Sequence, residues 1–299
     1  MIYTLTCNPA MDYIIRTDKL VFGEINRTYG EKISVGGKGI NVSTVLKSLG
    51  VDSVAMGYIA GFTGDYVLRV LEERGIRTDF IRVEGMTRIN VIHLNGKETE
   101  FNGSGPRIEF ESTRQQAVKI AALPEKAWLV IAGSVPGGLP GDYYARLLAQ
   151  AGRSDLKVIA DTAGPSLFNI LPTRPYLVKP NLKELGQIFG VTLRTRKETE
   201  HYARLLCSMG ARNVIVSMGS YGACMVTEEG ECLFVPAFIG KTVNTVGAGD
   251  SLLAGYLAAK TEGRTDLDAL RQGVAAGCAT AFRTGLAEKE DIDALLHHI

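Results

Sequence analysis

The chain has 299 residues, with 33 Lys and Arg against 32 Asp and Glu and a formal charge of +1. Such a balance, with no dense basic block and no run of about 18 apolar residues, argues against nucleic-acid and membrane partners. Five scattered cysteines (Cys7, Cys207, Cys224, Cys232, Cys278) without a CxxC pair read as reduced, mostly buried residues of a cytoplasmic protein. Residues 1–7 form a short buried strand pattern rather than a signal peptide. Asn8-Pro9 ends that strand, and Asp12 follows. Residues 13–34 alternate polar and apolar, which predicts exposed strands with Arg27 on one of them. Gly36-Gly37-Lys38-Gly39-Ile40-Asn41 is a glycine-rich turn opening a helix that runs to about Leu49. A strand over 51–58, a helix from 61 to about 74, and short strands over 80–83, 88–94 and 99–101 come next. Asn95-Gly96 is the predicted hairpin turn between the last two.

From 109 onward strands and helices alternate regularly. Helices are predicted over 109–122, 141–152, 182–189, 197–209, 248–260, 266–283 and 289–297. Strands are predicted over 128–132, 157–160, 176–178 and 213–217, with a hairpin at 222–227 and 232–235. Alternation with apolar strands predicts an α/β fold, its mainly parallel sheet covered on both faces. The β-rich stretches at about 10–33 and 85–103 read as a small lid inserted into one large domain spanning 1–299. Ligands of such sheets sit beyond the carboxyl ends of the strands. Asp161, Asn181, Ser217 and the 244–251 loop each follow a strand and are expected to converge on one crevice.

Several motifs are absent: GxxxxGK[ST], GxGxxG after a strand, GxSxG and HExxH. The histidines (His93, His201, His297, His298) show no metal-ligand spacing. Asn244-Thr245-Val246-Gly247-Ala248-Gly249-Asp250-Ser251, just before an apolar helix, carries more chemistry. A helix start offers unpaired N–H groups and a positive dipole end, which is an anion site. Asp250 there either caps the helix or takes a proton from a hydroxyl beside that anion hole. The 36–41 turn supplies one cation, Lys38, and one amide, Asn41, suited to phosphate and sugar hydroxyls. Arg88 and Asn90 share a strand, where the arginine is either a solvated charge or a phosphate clamp. Asn181 and Glu184 are either a capping box or oxygen ligands suited to Mg²⁺.

The 36–41 and 244–251 stretches resemble the two signatures of the ribokinase/PfkB carbohydrate kinase family. Their separation, Asn181-xx-Glu184 between them and the inserted strands agree, and the resemblance covers nearly the whole chain. Residues 6–13, 61–64, 87–91, 98–103 and 279–282 are similar to the branch acting on ketohexose phosphates. Asn244, where many sugar kinases of the family carry Asp, also fits that branch. Cys7 departs from the usual Leu, with only a packing effect expected.

The resemblance implies a ribokinase-like three-layer α/β/α fold with a small β lid. It implies ATP- and Mg²⁺-dependent phosphorylation of a ketohexose monophosphate, fructose 1-phosphate to fructose 1,6-bisphosphate, with tagatose 6-phosphate or fructose 6-phosphate as alternative substrates. Asp250 would be the base, and amides of Gly247, Ala248, Gly249 and Asp250 the anion hole. Asp12, Gly36, Gly37, Lys38, Asn41, Arg88 and Asn90 would hold the sugar phosphate. Ser217, Gly219, Gly222, Thr245, Gly247 and Gly249 would line the nucleotide site, with Lys179 and Asn181 near its phosphates. Glu184 would organise Mg²⁺ through water, with Asp161 a second candidate. Arg27 would reach a substrate phosphate in its own or a neighbouring subunit of a homodimer paired through the lid. Two rivals stand beside this reading. A nicotinamide oxidoreductase needs a glycine fingerprint after strand one, where Asn8-Pro9 stands instead. A non-catalytic sensor would bind sugar phosphate or nucleotide without turnover.

Overall fold

The computed structural model describes residues 1–94 and 98–297. In chain order its elements are β1 (Ile2–Thr6), β2 (Ala10–Arg16), β3 (Tyr29–Gly36), α1 (Lys38–Ser48), β4 (Ser53–Ile59), α2 (Gly61–Glu73), β5 (Arg77–Arg82), β6 (Arg88–Leu94) and β7 (Glu98–Asn102). Then come α3 (Phe110–Ala121), β8 (Trp128–Ala132), α4 (Tyr143–Ala151), β9 (Lys157–Asp161), α5 (Pro165–Ile170), β10 (Leu177–Val178), α6 (Leu182–Phe189) and α7 (Arg196–Ser208). The chain closes with β11 (Asn213–Ser217), β12 (Ala223–Val226), β13 (Cys232–Val235), α8 (Ala248–Thr261), α9 (Asp266–Ala281) and α10 (Lys289–His297).

Nine of these strands form one sheet in the order β13-β12-β11-β10-β9-β8-β1-β4-β5. From β11 to β5 neighbours run parallel, and the β12–β13 hairpin adds an antiparallel edge. Alternate residues of a strand point to opposite faces, and the core divides accordingly. Ile2, Val130 and Ile159 pack with Val42 of α1, Leu253 of α8 and Ala275 of α9. Leu5, Leu129 and Ile131 pack on the other face with Ile120 of α3, Leu147 of α4 and Leu206 of α7. Helices α8 and α9 approach closely because both carry glycine at the crossing. A Cβ on Gly255 would meet Gln272 O at 2.8 Å, and one on Gly273 would meet Leu252 O at 2.7 Å.

Four strands form a separate sheet in the order β3-β2-β6-β7. Strand β2 pairs antiparallel with β3 and parallel with β6. Strands β6 and β7 pair antiparallel, and the Asn95-Gly96 turn between them lies outside the described residues, as does His298. Three expectations change. Residues 25–28 are not strand, so Arg27 lies in the connection before β3 rather than on a sheet. The Asn26 side chain explains this: it accepts from Val21 N and donates to Val21 O, both at 2.8 Å, closing a turn where alternation suggested extension. Strand β5 begins at Arg77, earlier than its apolar residues indicate. Helix α5 is an added element between Asp161 and β10. No helix among the described residues is long and apolar enough to cross a membrane.

Candidate active site

Asp161, the last residue of β9, is fully buried. Its two carboxylate oxygens each face an ammonium group, Lys38 Nζ at 3.1 Å and Lys179 Nζ at 3.3 Å. Burial alone would raise the Asp161 carboxyl, but Lys179 and Lys38 outweigh it and hold it below the usual carboxylate range. In return, Asp161 holds the Lys38 ammonium above the ordinary lysine value. Residues from the start of α1, the end of β9 and the exit of β10 are thereby tied into one charged centre. Asp161, the second Mg²⁺ candidate of the sequence, thus holds Lys38 and Lys179.

Asp250 sits in the first turn of α8 and is buried. Asn41 of α1 donates to its Oδ2 at 2.8 Å. Burial, and then the negative charge of Asp161, push the Asp250 carboxyl up to about 6, against the pull of Lys38, the Asn41 bond and Lys179. Two carboxylates of one centre thus diverge, the pattern that separates a proton acceptor from a structural counter-ion.

The turn before α8 explains its glycines. Gly247 has φ 79°, and a Cβ there would strike Leu286. A Cβ on Gly249 would come within 3.2 Å of Lys179 Nζ, so the missing side chain lets that ammonium approach the helix start. Asn244 Oδ1 accepts from Val246 N at 2.9 Å and shapes the entry. The Ala248 N–H is bonded to Thr245 O at 3.2 Å, which withdraws it from the open amides of this helix start. Gly37 is the counterpart at α1, with φ 126° and Thr6 Cγ2 2.8 Å from where its Cβ would be.

The small sheet brings the remaining sugar-phosphate candidates together. Register pairs Asp12 with Asn90 and Ala10 with Arg88, placing Asp12, Asn90 and Arg88 on one face. Asn90 Nδ2 donates to Asp12 Oδ1 at 2.8 Å. Burial pushes the Asp12 carboxyl up, against Asn90 and the charge of Arg88. Gly36 makes room for this carboxylate, which would collide with any Cβ there.

Two cavities flank this centre, one reached through Lys38 and the other through Gly249. A cleft of about 590 Å³ is lined by Gly37, Lys38, Arg88, Glu184 and residues that motif reading missed, among them Thr6, Asn8, Ser134 and Thr162. Arg88 Nε, Asn90 Oδ1, Thr6 Oγ1, Asn8 Oδ1 and Thr162 Oγ1 are buried there or beside it without a hydrogen-bond partner. Unmatched buried polar atoms are costly, so the cleft is prepared for a polar ligand. The second cavity, about 330 Å³, is lined by Asn181, Ser217, Gly219, Gly222, Thr245, Ala248 and Gly249. Its apolar wall of Phe238, Val274, Cys278, Ala281 and Phe282 went unread in the sequence. Gly222, with φ 99°, lies against Val235 O where no side chain fits.

Asn181 and Glu184 form the capping box of α6. Glu184 N donates to Asn181 Oδ1 at 2.8 Å, and Asn181 N donates to Glu184 Oε2 at 2.9 Å. The same pair divides the cavities, with Asn181 on one wall and Glu184 on the other. Among the described residues no group of three or more His, Cys, Asp or Glu could hold a metal. One carboxylate beside this polar cleft still fits Mg²⁺, which keeps most of its waters. Arg27 stays apart, exposed in the 17–28 connection.

Comparison with known proteins agrees with this arrangement. The model of the pfkB family carbohydrate kinases matches residues 4–293. The chain is 40% identical over 299 residues to a 1-phosphofructokinase of Bacillus subtilis, covering 100% of this chain and 98% of the relative. It is 38% identical over 295 residues to a D-tagatose-1-phosphate kinase of Bacillus licheniformis, covering 98% and 96%. The crystal structure of phosphofructokinase-2 from Escherichia coli in complex with substrates and products superposes with a TM-score of 0.93 at 28% identity, covering 99% and 98%.

Proposed function

The chain belongs to the pfkB family of carbohydrate kinases, and from that premise we propose that it transfers a phosphoryl group from ATP to fructose 1-phosphate, yielding fructose 1,6-bisphosphate and ADP. The observation that carries this reading is Asp250: a buried carboxylate at a glycine-opened helix start, with its pKa raised, beside Gly249 of the one cavity and under the charge of Lys38 of the other.

Phosphoryl transfer needs positioning and charge stabilisation more than covalent chemistry. Arg88, Asn90, Asp12 and Lys38 hold the sugar phosphate with its acceptor hydroxyl toward Asp250. Asp250 takes the hydroxyl proton as the oxygen attacks the terminal phosphorus of ATP, and the bond from that phosphorus to the ADP oxygen breaks. Lys179 and the open amides of Gly249 and Asp250 hold the negative charge shifting onto the transferred group. Ser217, Gly219, Gly222 and Thr245 line the nucleotide side. When bound, Mg²⁺ neutralises phosphate charge, and Glu184 is the residue placed to hold it through water. Closure of the small sheet, as a lid over one kinase domain, limits hydrolysis by water.

The lid also carries the reading of assembly. Phe22, Ile25, Ile33 and Phe101 are exposed on it or its connection. We read this apolar surface as the contact of a cytoplasmic homodimer, with Arg27 reaching toward the partner's substrate.

The test is ADP release with ATP and Mg²⁺ over fructose 1-phosphate, tagatose 1-phosphate, tagatose 6-phosphate, fructose 6-phosphate and free fructose. The highest kcat/KM is expected with fructose 1-phosphate, and preference for an unphosphorylated sugar refutes the reading. The D-tagatose-1-phosphate kinase relative at 38% identity favours tagatose 1-phosphate as the second reading. Binding without ADP release would instead identify a sensor.

A further inference from the structure

Two of the stretches that carry the family resemblance, 61–64 and 87–91, meet in the fold. Arg88 and Asn90 of the second belong to the sugar-phosphate side, but Thr63, Gly64 and Thr87 have no part in the site described above. They lie where the chain crosses from β5 of the large sheet to β6 of the small one.

Thr87, the last residue before β6, is fully buried, as is Thr63 in the first turn of α2. Three polar groups of Thr87 are all taken by the entry to α2. Its N–H donates to Ala60 O at 2.9 Å, its hydroxyl accepts from Ala60 N at 2.9 Å, and its carbonyl accepts from the Thr63 hydroxyl at 2.7 Å. The glycines on either side of Thr63 give the room. A Cβ on Gly61 would meet Gly85 O at 2.9 Å, and one on Gly64 would press on the Thr87 hydroxyl at 3.1 Å. The 61–64 stretch is thus a socket built around one threonine of the neighbouring crossing.

The residue after that threonine is Arg88. A peptide unit is planar, so the Thr87 carbonyl and the Arg88 N–H turn together. The Thr63 bond to this carbonyl therefore sets the direction in which the chain enters β6 and Arg88 leaves it. The arginine needs an anchor of this kind, because its Nε is buried without a hydrogen-bond partner. Its place in the cleft lining comes from the backbone that carries it.

We propose that Thr63 and Thr87 are positioning residues for Arg88, fixing the root of β6 to the large domain so that the guanidinium meets the sugar phosphate at a set place. This rests on the proposed contact of Arg88 with the substrate. Precision matters there, since a displacement of about 1 Å can cost roughly 10²-fold in rate.

The test is steady-state kinetics with the hexose phosphate that the chain turns over best, beside thermal melting of each variant. Thr63→Val removes the hydroxyl at nearly constant volume. It is expected to raise the KM for the sugar phosphate roughly three- to tenfold, the loss of one hydrogen bond, with the KM for ATP nearly unchanged. Thr63→Ser keeps the hydroxyl and should restore the wild-type KM. Thr87→Val breaks the bond to Ala60 N and should give the same split between the two constants, so either valine variant suffices if the other does not fold. In an Arg88→Ala background Thr63→Val should add nothing further, because the group it positions is gone. A lowered melting temperature with both KM values unchanged marks a bond that serves the fold alone and overturns the proposal, as does a full additional effect in the Arg88→Ala background. If Arg88→Ala itself leaves the KM for the sugar phosphate unchanged, the substrate contact and the positioning role fall together. If Arg88→Ala raises it and neither valine variant does, the positioning role alone falls.

Discussion

The two cavities that meet at the Asn181–Glu184 cap are made of opposite materials. The one between α8, α9 and the β12–β13 edge is walled by small and apolar residues, with Phe238 and Phe282 as its large side chains. The one beside the small sheet is lined by Lys38, Arg88, Glu184 and several hydroxyl and amide groups, with polar atoms left unmatched. An apolar slot with glycine turns suits a flat base followed by phosphates, whereas a cleft of unmatched donors suits a hydroxylated anion. Asp250 belongs to neither wall, and as the proposed proton acceptor it should affect turnover more than either binding constant.

Removing that shared group should give the largest effect. Asp250→Asn is expected to lower kcat by roughly 10²–10⁴, the usual contribution of a positioned base, with the KM for ATP nearly unchanged. Wild-type-like turnover in steady-state assays would overturn the assignment. The same variant tests the pKa with the sign worked out. A raised carboxyl pKa means the folded state binds its proton more tightly, so this contribution to stability is present at acid pH and lost as pH rises through about 6. Asp250→Asn should therefore raise the melting temperature above pH 6, while wild-type kcat should fall as pH drops below about 6. Asp161 has the opposite sign: its lowered pKa stabilises above the unfolded carboxylate range and is lost in acid.

A smaller effect should separate the two walls. Arg88→Ala removes a charge-assisted bond, a change of about 1.5–3 kcal/mol. It should raise the KM for the sugar phosphate by roughly 10- to 100-fold, leaving the KM for ATP within a factor of two. An equal rise in both constants would contradict the division of labour. The smallest effect belongs to the apolar slot. Phe282→Ala should raise the KM for ATP about five- to tenfold, in line with about 1 kcal/mol for one aromatic contact. It should not alter the KM for the sugar phosphate.

The same contrast decides how much of the molecule was legible from its residues. The alternating half was readable because buried parallel strands are apolar runs and helices carry caps and glycine stops, as at Gly50 and Gly190. The polar cleft was partly readable, since Lys38, Asn41 and Asp250 stand in two glycine-rich helix-opening turns, although helix capping explains such turns equally well when each is read alone. Asn181 and Glu184 illustrate a limit: a local rule identified the capping box correctly, and only the tertiary structure put its two members in different cavities. The apolar slot was unreadable because Phe238, Val274 and Phe282 are ordinary core residues whose common wall exists only after α9 packs on α8. Arg27 was misplaced because alternation at 25–29 mimicked a strand while Asn26 closed a turn.

The bonds that close the active centre have a consequence in time. Lys38 and Asp161 are 123 positions apart, and Asn41 and Asp250 are 209 apart. Chains emerge from the ribosome at about 5–20 residues per second. The half that carries Lys38, Arg88 and Asp161 is therefore exposed for several seconds before Asp250 is made. An incomplete chain holds the cations of the polar cleft but neither Asp250, the proposed base, nor the α8–α9 slot. On the proposed assignment, products truncated before α8 are expected to release no ADP, with activity arriving only when the C-terminal helices are made.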